Sequence, residues 1–402
     1  MPTNPSMQAA IVGAAEADEI GYLSAPKSNM RLHIEAIYNV SKQTGIPISR
    51  IEGIFGAGAS SQVAEYLGIH PRYIDTTSVG GCSFEMHVHH ALAAINSGII
   101  DVALVTHGEM GYSSRFTGGK GRGGGRGAGD AWDPTTQFTG PYGFSGAPSN
   151  YAHAMKRHNY RFGTTPADFA HISVVTREWA GLNPKAIMHS SETNPGGGPI
   201  TVEDVQSSRM IAWPLNLLHV CLVTDHGGAV LITNPEIARS LPTKPVWIAG
   251  AGESMSHSNM LEMDDFTATS AAASAASAYT MAGMGPEDME MAMIYDSFTV
   301  TAGITAEMLG LTPRGEGFTL WKDGHAAPGG KFPINTNGGG LSFNHSGMYG
   351  MQLLVEAYRQ LSGTAEDGIN GIAGKQTNAR TCVVNGTGGT LSTTGTLVLT
   401  AD

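Results

Sequence analysis

The sequence predicts an α/β chain built from two similar halves, with a loop-rich insertion in the first. Three observations carry this. Two short apolar runs ending in small residues, Gln8–Ala15 (QAAIVGAA) and Pro245–Gly252 (PVWIAGAG), each lead through a polar loop into a helical stretch. Between Asp75 and Thr106 an extended segment, an amphipathic helix and an apolar strand follow one another with short turns, the pattern of a parallel βαβ unit. From about Gly111 to Pro214 the periodicity loosens into glycine-rich and aromatic stretches, as in a loop domain laid over a site.

The elements follow in order. Gln8–Ala15 is the first strand and Met30–Gln43 its helix; Asp75–Gly81 is extended. Phe84, Val88, Ala91, Leu92 and Ile95 then fall on one helical face, Gly98 closes that helix, and Asp101–Thr106 (DVALVT) is a buried strand. Inside the insertion, Pro166–Ala180 is helical. Gly118–Gly129 carries Lys120, Arg122 and Arg126 either as a surface loop or as an anion or partner contact. Val223–Thr233 returns to strand character, with Asp225 and His226 read as turn residues at its start. Asn234-Pro235 through Lys244-Pro245 reads as the linker, dividing the chain into halves at 1–240 and 241–402, with the loop domain at about 111–214. The second half gives a helix over Thr267–Met281 and a strand over Ala292–Thr299. A glycine-rich turn at Asn337–Gly350 runs into the helix Met351–Leu361. A closing hairpin pairs Thr381–Asn385 with Gly395–Thr400 around a turn at Gly386–Gly389.

Composition narrows the function. At 402 residues the chain exceeds the usual ceiling for a single core, which suits two fused units. A net charge of -11 argues against a nucleic-acid surface, because phosphate binding needs an excess of Lys and Arg. Three cysteines are too few and too odd for a disulfide framework, which points to a reducing cytoplasm. No apolar run approaches the roughly 18 residues of a membrane span, and the N-terminus lacks a signal-peptide pattern.

Among chemistry-bearing residues, Cys82 stands at a helix start, where a thiol pKa falls. Cys221 and Cys382 lie in apolar runs and read as core thiols. Glu85, His87, His89 and His90 invite a metal reading, but only Glu85 and His89 share a helix face, so no metal site is expected. His107 and Glu109 follow a strand end and border whatever site lies there.

Five ordered blocks, VGGCSFEMHVHHALAAINSG (79–98), DVALVTHGE (101–109), YDSFT (295–299), NGGGLSFNHSGMYG (337–350) and NGTGGTLSTTG (385–395), resemble the thiolase superfamily. The likeness is to its sterol-carrier-protein-thiolase-like branch and spans nearly the whole chain. It implies a duplicated, five-layered αβαβα architecture around two buried helices, an at least dimeric enzyme and a CoA-thioester substrate with no separate cofactor. It also implies that glycines such as Gly339, Gly340 and Gly388 line the thioester site. The family's nucleophilic cysteine falls on Gly81, one residue before Cys82, and adjacent helical residues point about 100° apart. The second family cysteine, an acid/base, falls on Gly386. His345 matches the family histidine, and Tyr295 takes the slot of an asparagine or histidine that supports the enolate-binding hole.

An acyl transferase needs a thiolate, whereas retro-aldol cleavage needs an enolate stabiliser and a proton acceptor for the β-hydroxyl. The resemblance therefore extends to thiolase-like aldolases that cleave steroid side chains as CoA thioesters, whose two functional tyrosines map to Tyr295 and Tyr349. The expected mechanism makes Tyr349 the base, with its pKa lowered from about 10, and gives the enolate oxygen to His345 and Tyr295. Relatives of this kind work with a small OB-fold and zinc-ribbon partner that carries the zinc. The alternatives are an acyltransferase using Cys82 and a non-catalytic subunit of a complex.

Overall fold

The computed structural model describes residues 4–116, 137–138, 140–142, 146–365 and 374–402. The segment Gly118–Gly129, with Lys120, Arg122 and Arg126, lies outside the described residues. The strands are β1 (Ala10–Glu16), β2 (Gly53–Phe55), β3 (Tyr73–Asp75), β4 (Val102–Met110), β5 (Met210–Ala212), β6 (Leu215–Asn216), β7 (Asp225–Thr233), β8 (Val246–Met255), β9 (Met291–Ile294), β10 (Thr381–Gly388) and β11 (Thr393–Ala401). β5 and β6 pair with each other in the insertion, and the other nine form one mixed sheet in the order β3-β2-β4-β7-β1-β8-β11-β10-β9.

This order contains a repeat. Counted in chain order, the first five sheet strands run third–second–fourth–fifth–first, with the fifth antiparallel to both its neighbours. The second set runs the same way outward from β8, since Ile334 bridges Ala292 of β9 in parallel and stands where a third strand would. The two sets meet where β1 pairs with β8, Ala10 opposite Trp247.

Strand alternation distributes the apolar residues into layers. Ala10 and Val12 of β1, Val102 and Leu104 of β4, and Ala229 and Leu231 of β7 pack outward against the helices Asn29–Thr44 and Ser60–Leu67. Their neighbours Ile11, Ala103, Val105, Val230 and Ile232 face inward, onto the helices Ser83–Asn96 and Gly350–Ser362. Met291 and Met293 of β9, Val384 of β10 and Leu397 and Leu399 of β11 close on the same two helices from the other side. Ala292, Ile294, Val383 and Val398 turn away, toward the outer helices Ala271–Ala282 and Thr299–Met308. The result is helix, sheet, helix, sheet, helix.

Local sequence sets the central helices. Ser83 Oγ donates to the Gly80 carbonyl at 2.6 Å and accepts the Val79 amide at 3.0 Å, which turns the glycine pair into a helix start. Gly363, at φ 74°, ends the second central helix.

Several sequence expectations shift. β9 ends at Ile294, and Thr299 opens a helix, so Ala292–Thr299 is not one strand. Asn335 continues its edge instead, exchanging side-chain bonds with the Ile294 backbone at 2.8 Å each way. Asp225 and His226 belong to β7 and are fully buried, not turn residues. The closing hairpin turns at residues 389–392, because Gly386 and Gly388 still pair across it. β3 and β4 do not touch; β2 lies between them, parallel to both. The linker folds into a short helix, Pro235–Ser240, capped by Asn234. The second-half helix starts at Ala271, four residues inside the expected Thr267.

Candidate active site

The central helix Ser83–Asn96 begins beneath the carboxyl ends of β9 and β10, and three segments converge there. Tyr295 leaves β9, His345 and Tyr349 come from the loop before the second central helix, and Gly81 precedes the first. The Tyr295 phenol oxygen lies 3.2 Å from His345 Nε2 and 3.3 Å from the Gly347 carbonyl, and it accepts the Tyr349 amide at 3.1 Å. The His345 and Tyr349 rings stack at 5.9 Å, and Tyr295 stands edge-on to both. All three residues are buried.

Gly81 explains how the phenol fits. A Cβ at this position would lie 2.5 Å from the Tyr295 hydroxyl oxygen and closer still to ring carbons Cε2 and Cζ. The volume that a side chain at position 81 would fill is taken by Tyr295.

Cys82, one residue on, points elsewhere. Its thiol is buried against β11, where it donates to the Thr393 carbonyl at 3.4 Å, and a Cβ at Gly388 would come within 2.8 Å of Sγ. Burial, and then the neighbouring Glu85, push this thiol well above its ordinary pKa. The helix-start effect that would lower it is overridden, and the position suits a structural thiol. Cys382 is buried in β10 as expected. Cys221 is only half-buried: its amide donates to Ser297 O at 2.9 Å on a segment whose next residues bond Gly340 O and His345 O. Burial raises its pKa, with Asp296 adding to the effect.

The protonation states follow from burial. His345 is drawn down to about 4, so the imidazole is neutral at physiological pH. Tyr295 is pushed well above 10 by burial, against the pull of the Tyr349 amide. Tyr349 is raised too, by burial and then by Asp296, and its hydroxyl donates to Asn337 Oδ1 at 2.9 Å. The lowered phenol pKa expected for Tyr349 is therefore reversed, because burial and then the Asp296 carboxyl both raise it.

The glycine turn also differs from expectation. Gly340 N donates to Asp296 Oδ1 at 2.7 Å and Gly339 N to Asn337 Oδ1 at 2.9 Å. These two glycines shape a cradle for Asp296 and do not offer their amides to a ligand. A Cβ at Gly339 would overlap the Asp296 carboxyl. Asp296 is fully buried, and burial raises its pKa to about 7 against the lowering effect of the Gly340 and Leu341 amides.

Sequence reasoning missed Asp296 and Asn337, although both lie inside the blocks YDSFT and NGGG. It also missed Tyr151, a buried phenol on the insertion helix Gly146–Phe162, stacked at 4.2 Å on Phe298. Nothing in that irregular stretch signalled it. His107 and Glu109 do border the site: His107 Nε2 lies 3.1 Å from Ser346 Oγ, and Glu109 Oε2 accepts the Met348 amide at 3.1 Å. Among the described residues no group of three or more His, Cys, Asp or Glu side chains is placed to hold a metal ion, and no helix is long and apolar enough to cross a membrane.

Comparison with known proteins fits this geometry. Residues 252–401 match the family described as "Thiolase C-terminal domain-like". The chain is 30% identical over 379 residues to a 17-hydroxy-3-oxo-4-pregnene-20-carboxyl-CoA lyase of Mycobacterium tuberculosis, covering 91% of this chain and 95% of that protein. It is also 30% identical over 364 residues to a steroid side-chain-cleaving aldolase of Thermomonospora curvata, covering 88% and 90%. A solved Ltp2-ChsH2(DUF35) aldolase superposes with a TM-score of 0.84 at 27% identity, over 99% of this chain and 98% of that one.

Proposed function

We propose, from the premise that the chain belongs to the thiolase superfamily and to its branch of thiolase-like lyases, that it is an aldolase cleaving a bulky β-hydroxyacyl-CoA, such as one carrying a steroid side chain. The observation that carries this reading is the phenol of Tyr295 in the space over Gly81, within reach of a neutral His345. A site without a thiol at that point cannot form an acyl-enzyme there, but it can move a proton.

The geometry supports one route. The β-hydroxyl proton passes to the Tyr295 oxygen as the phenol gives its own proton to His345 Nε2. The Cα–Cβ bond breaks, its electron pair forms the enolate of the CoA thioester, and the new imidazolium lies beside the new negative charge. Because neither tyrosine is held as a phenolate, the relay runs in concert with bond cleavage. General acid–base steps of this kind contribute about 10²–10⁴-fold. Tyr349 holds Tyr295 through its amide and His345 through its ring.

The test compares Tyr295→Phe with Tyr349→Phe on a β-hydroxyacyl-CoA. Tyr295→Phe should lower kcat by about 10²–10⁴-fold with little change in KM, and Tyr349→Phe should cost less. If Tyr349→Phe were the more damaging, the proton would leave through Tyr349. Full activity in both variants would end the aldolase reading.

The same reading includes a second subunit of the small OB-fold and zinc-ribbon type, supported by the similar aldolase being an Ltp2-ChsH2(DUF35) assembly. A homodimer is part of it as well. β3 is the edge of the large sheet, with Ile74 51% exposed, and an open edge strand invites a second copy.

A further inference from the structure

Cleavage leaves an enolate whose α-carbon must take up a proton, and the Tyr295–His345 pair has just accepted one. That pair could return it, and so could a second buried acid beside the enolate. One buried carboxyl in the described structure is built for no evident structural purpose. Glu85 lies in the first turn of the first central helix, four residues after Gly81, which precedes that helix. Neither of its oxygens has a hydrogen-bond partner among the described residues, and the side chain is fully buried. A carboxyl left in this way is expensive, and natural proteins retain few of them without a role.

Three glycines from three other elements make its room. A Cβ at Gly350 would lie 2.5 Å from Glu85 Oε2 and 2.9 Å from Oε1, and would overlap the Gly81 carbonyl as well. A Cβ at Gly386 would overlap Oε2 and lie 2.6 Å from the carboxyl carbon; one at Gly395 would lie 2.9 Å from Glu85 Cβ. The carboxyl is thus held directly behind Gly81, whose open side is filled by the Tyr295 phenol. Among the described residues it has no ion-pair partner. Of the elements packed on it, β10, β11 and the second central helix present Gly386, Gly395 and Gly350, which carry no charge. The titratable side chain that senses it is Cys82 of its own helix.

Resting on the aldolase reading above, we propose that Glu85 is the acid that delivers the proton to the α-carbon of the enolate. The C–H bond forms as the Glu85 O–H bond breaks, the enolate electron pair is used in the new bond, and the thioester carbonyl is restored. The carboxylate left behind regains a proton through solvent as His345 and Tyr295 release the one taken from the β-hydroxyl. Atoms and charge then balance to a carbonyl product and an acyl-CoA. Burial raises the Glu85 pKa to about 8 against a lowering by its own backbone amide, which keeps the proton in place at neutral pH.

The reverse of this step can be watched without the natural substrate. Propionyl-CoA incubated with the full chain in D2O, together with any subunit that copurifies, should exchange its α-protons, read by mass spectrometry. Glu85→Gln, which has nearly the shape of the neutral acid, should slow that exchange at least about 100-fold, while circular dichroism reports the folded state. Exchange by Glu85→Gln at the wild-type rate would overturn the assignment and leave the aldolase reading standing. A wild-type enzyme that neither exchanges propionyl-CoA nor cleaves any β-hydroxyacyl-CoA would instead overturn the aldolase reading. Should the variant fail to fold, the wild type decides. Its exchange rate should climb with pH up to about 8 and then level, and a profile flat from about pH 6 to 9.5 would refute the role.

Discussion

Replacing Gly81 with alanine tests the site at its tightest point. Gly81 does not use a left-handed backbone conformation, unlike its neighbour Gly80 at φ 91°, so alanine meets no backbone penalty there. The added methyl carbon would meet three Tyr295 atoms at 2.5 Å or less, where ordinary carbon contacts sit at about 3.5–4.0 Å. The ring must therefore move by an ångström or more. It is held by the Tyr349 amide, His345 and the Gly347 carbonyl, and moving it breaks those bonds. Overpacking of a tight core costs about 1–3 kcal/mol, and each lost hydrogen bond adds about 0.5–1.5 kcal/mol. A loss of roughly 2.5–7.5 kcal/mol is expected in urea unfolding. Displacement of the phenol by an ångström should also cut kcat by about 10². In Gly81→Ala combined with Tyr295→Ala, the methyl meets no ring, so Gly81→Ala should cost less stability on the Tyr295→Ala background than alone, with activity still absent. A Gly81→Ala enzyme with wild-type stability and kcat would show that Tyr295 does not occupy this space.

Other outcomes follow from the same residues. Cys82→Ala should leave the lyase rate unchanged and iodoacetamide should not inactivate the enzyme; loss of activity with an acyl adduct on Cys82 would favour the transferase alternative. The kcat–pH profile should show no inflection near 6.5 from His345, because burial holds its pKa at about 4 and it is neutral above that; an inflection removed by His345→Gln would contradict this. For Glu85 the folded pKa of about 8 stands above the ordinary carboxyl value of about 4.5. Between those values the folded chain keeps a proton that the unfolded chain releases, so stability should fall as pH rises, by about 1.4 kcal/mol per unit. Buried histidines such as His345 contribute the opposite slope in both proteins, so the test is the difference: between pH 5 and pH 8 the urea midpoint of Glu85→Gln should shift in the variant's favour relative to wild type, and a difference unchanged with pH would refute a buried neutral acid.

The layered fold was legible because its signals are local. Period-two alternation in the strands and the apolar stripe of the Ser83–Asn96 helix both report burial directly. The errors fall where tertiary contacts override composition. Glycines at 386 and 388 read as a turn, yet they stay in β10 because Glu85 and Cys82 press against them from the central helix. Asp225 and His226 read as turn residues, yet Asp225 is drawn into β7, where it accepts the Tyr112 and Ser113 amides. In the site, spacing and resemblance together placed Tyr295, His345 and Tyr349. They could not reveal that the Tyr349 hydroxyl is committed to Asn337, because that bond crosses a loop whose path depends on Asp296. In sequence Glu85 is one polar residue among histidines, and nothing there shows which of its neighbours are glycines in space.

The glycines at 81, 350 and 386 share one physical logic. A side chain can enter a buried site from its own backbone position, or a neighbour's can enter if that position carries none. At 81 the vacated volume holds the Tyr295 phenol, and at 386 it holds the Glu85 carboxyl. Both incoming groups are oxygen acids that burial keeps protonated, whereas a thiol in either place would have to be ionised to attack a thioester. Moving the functional atoms onto longer side chains thus changes what the site can do without changing the helices and strands that frame it. Two acids held neutral on either side of Gly81 can exchange protons with a carbon acid and its enolate, and neither can form a thioester.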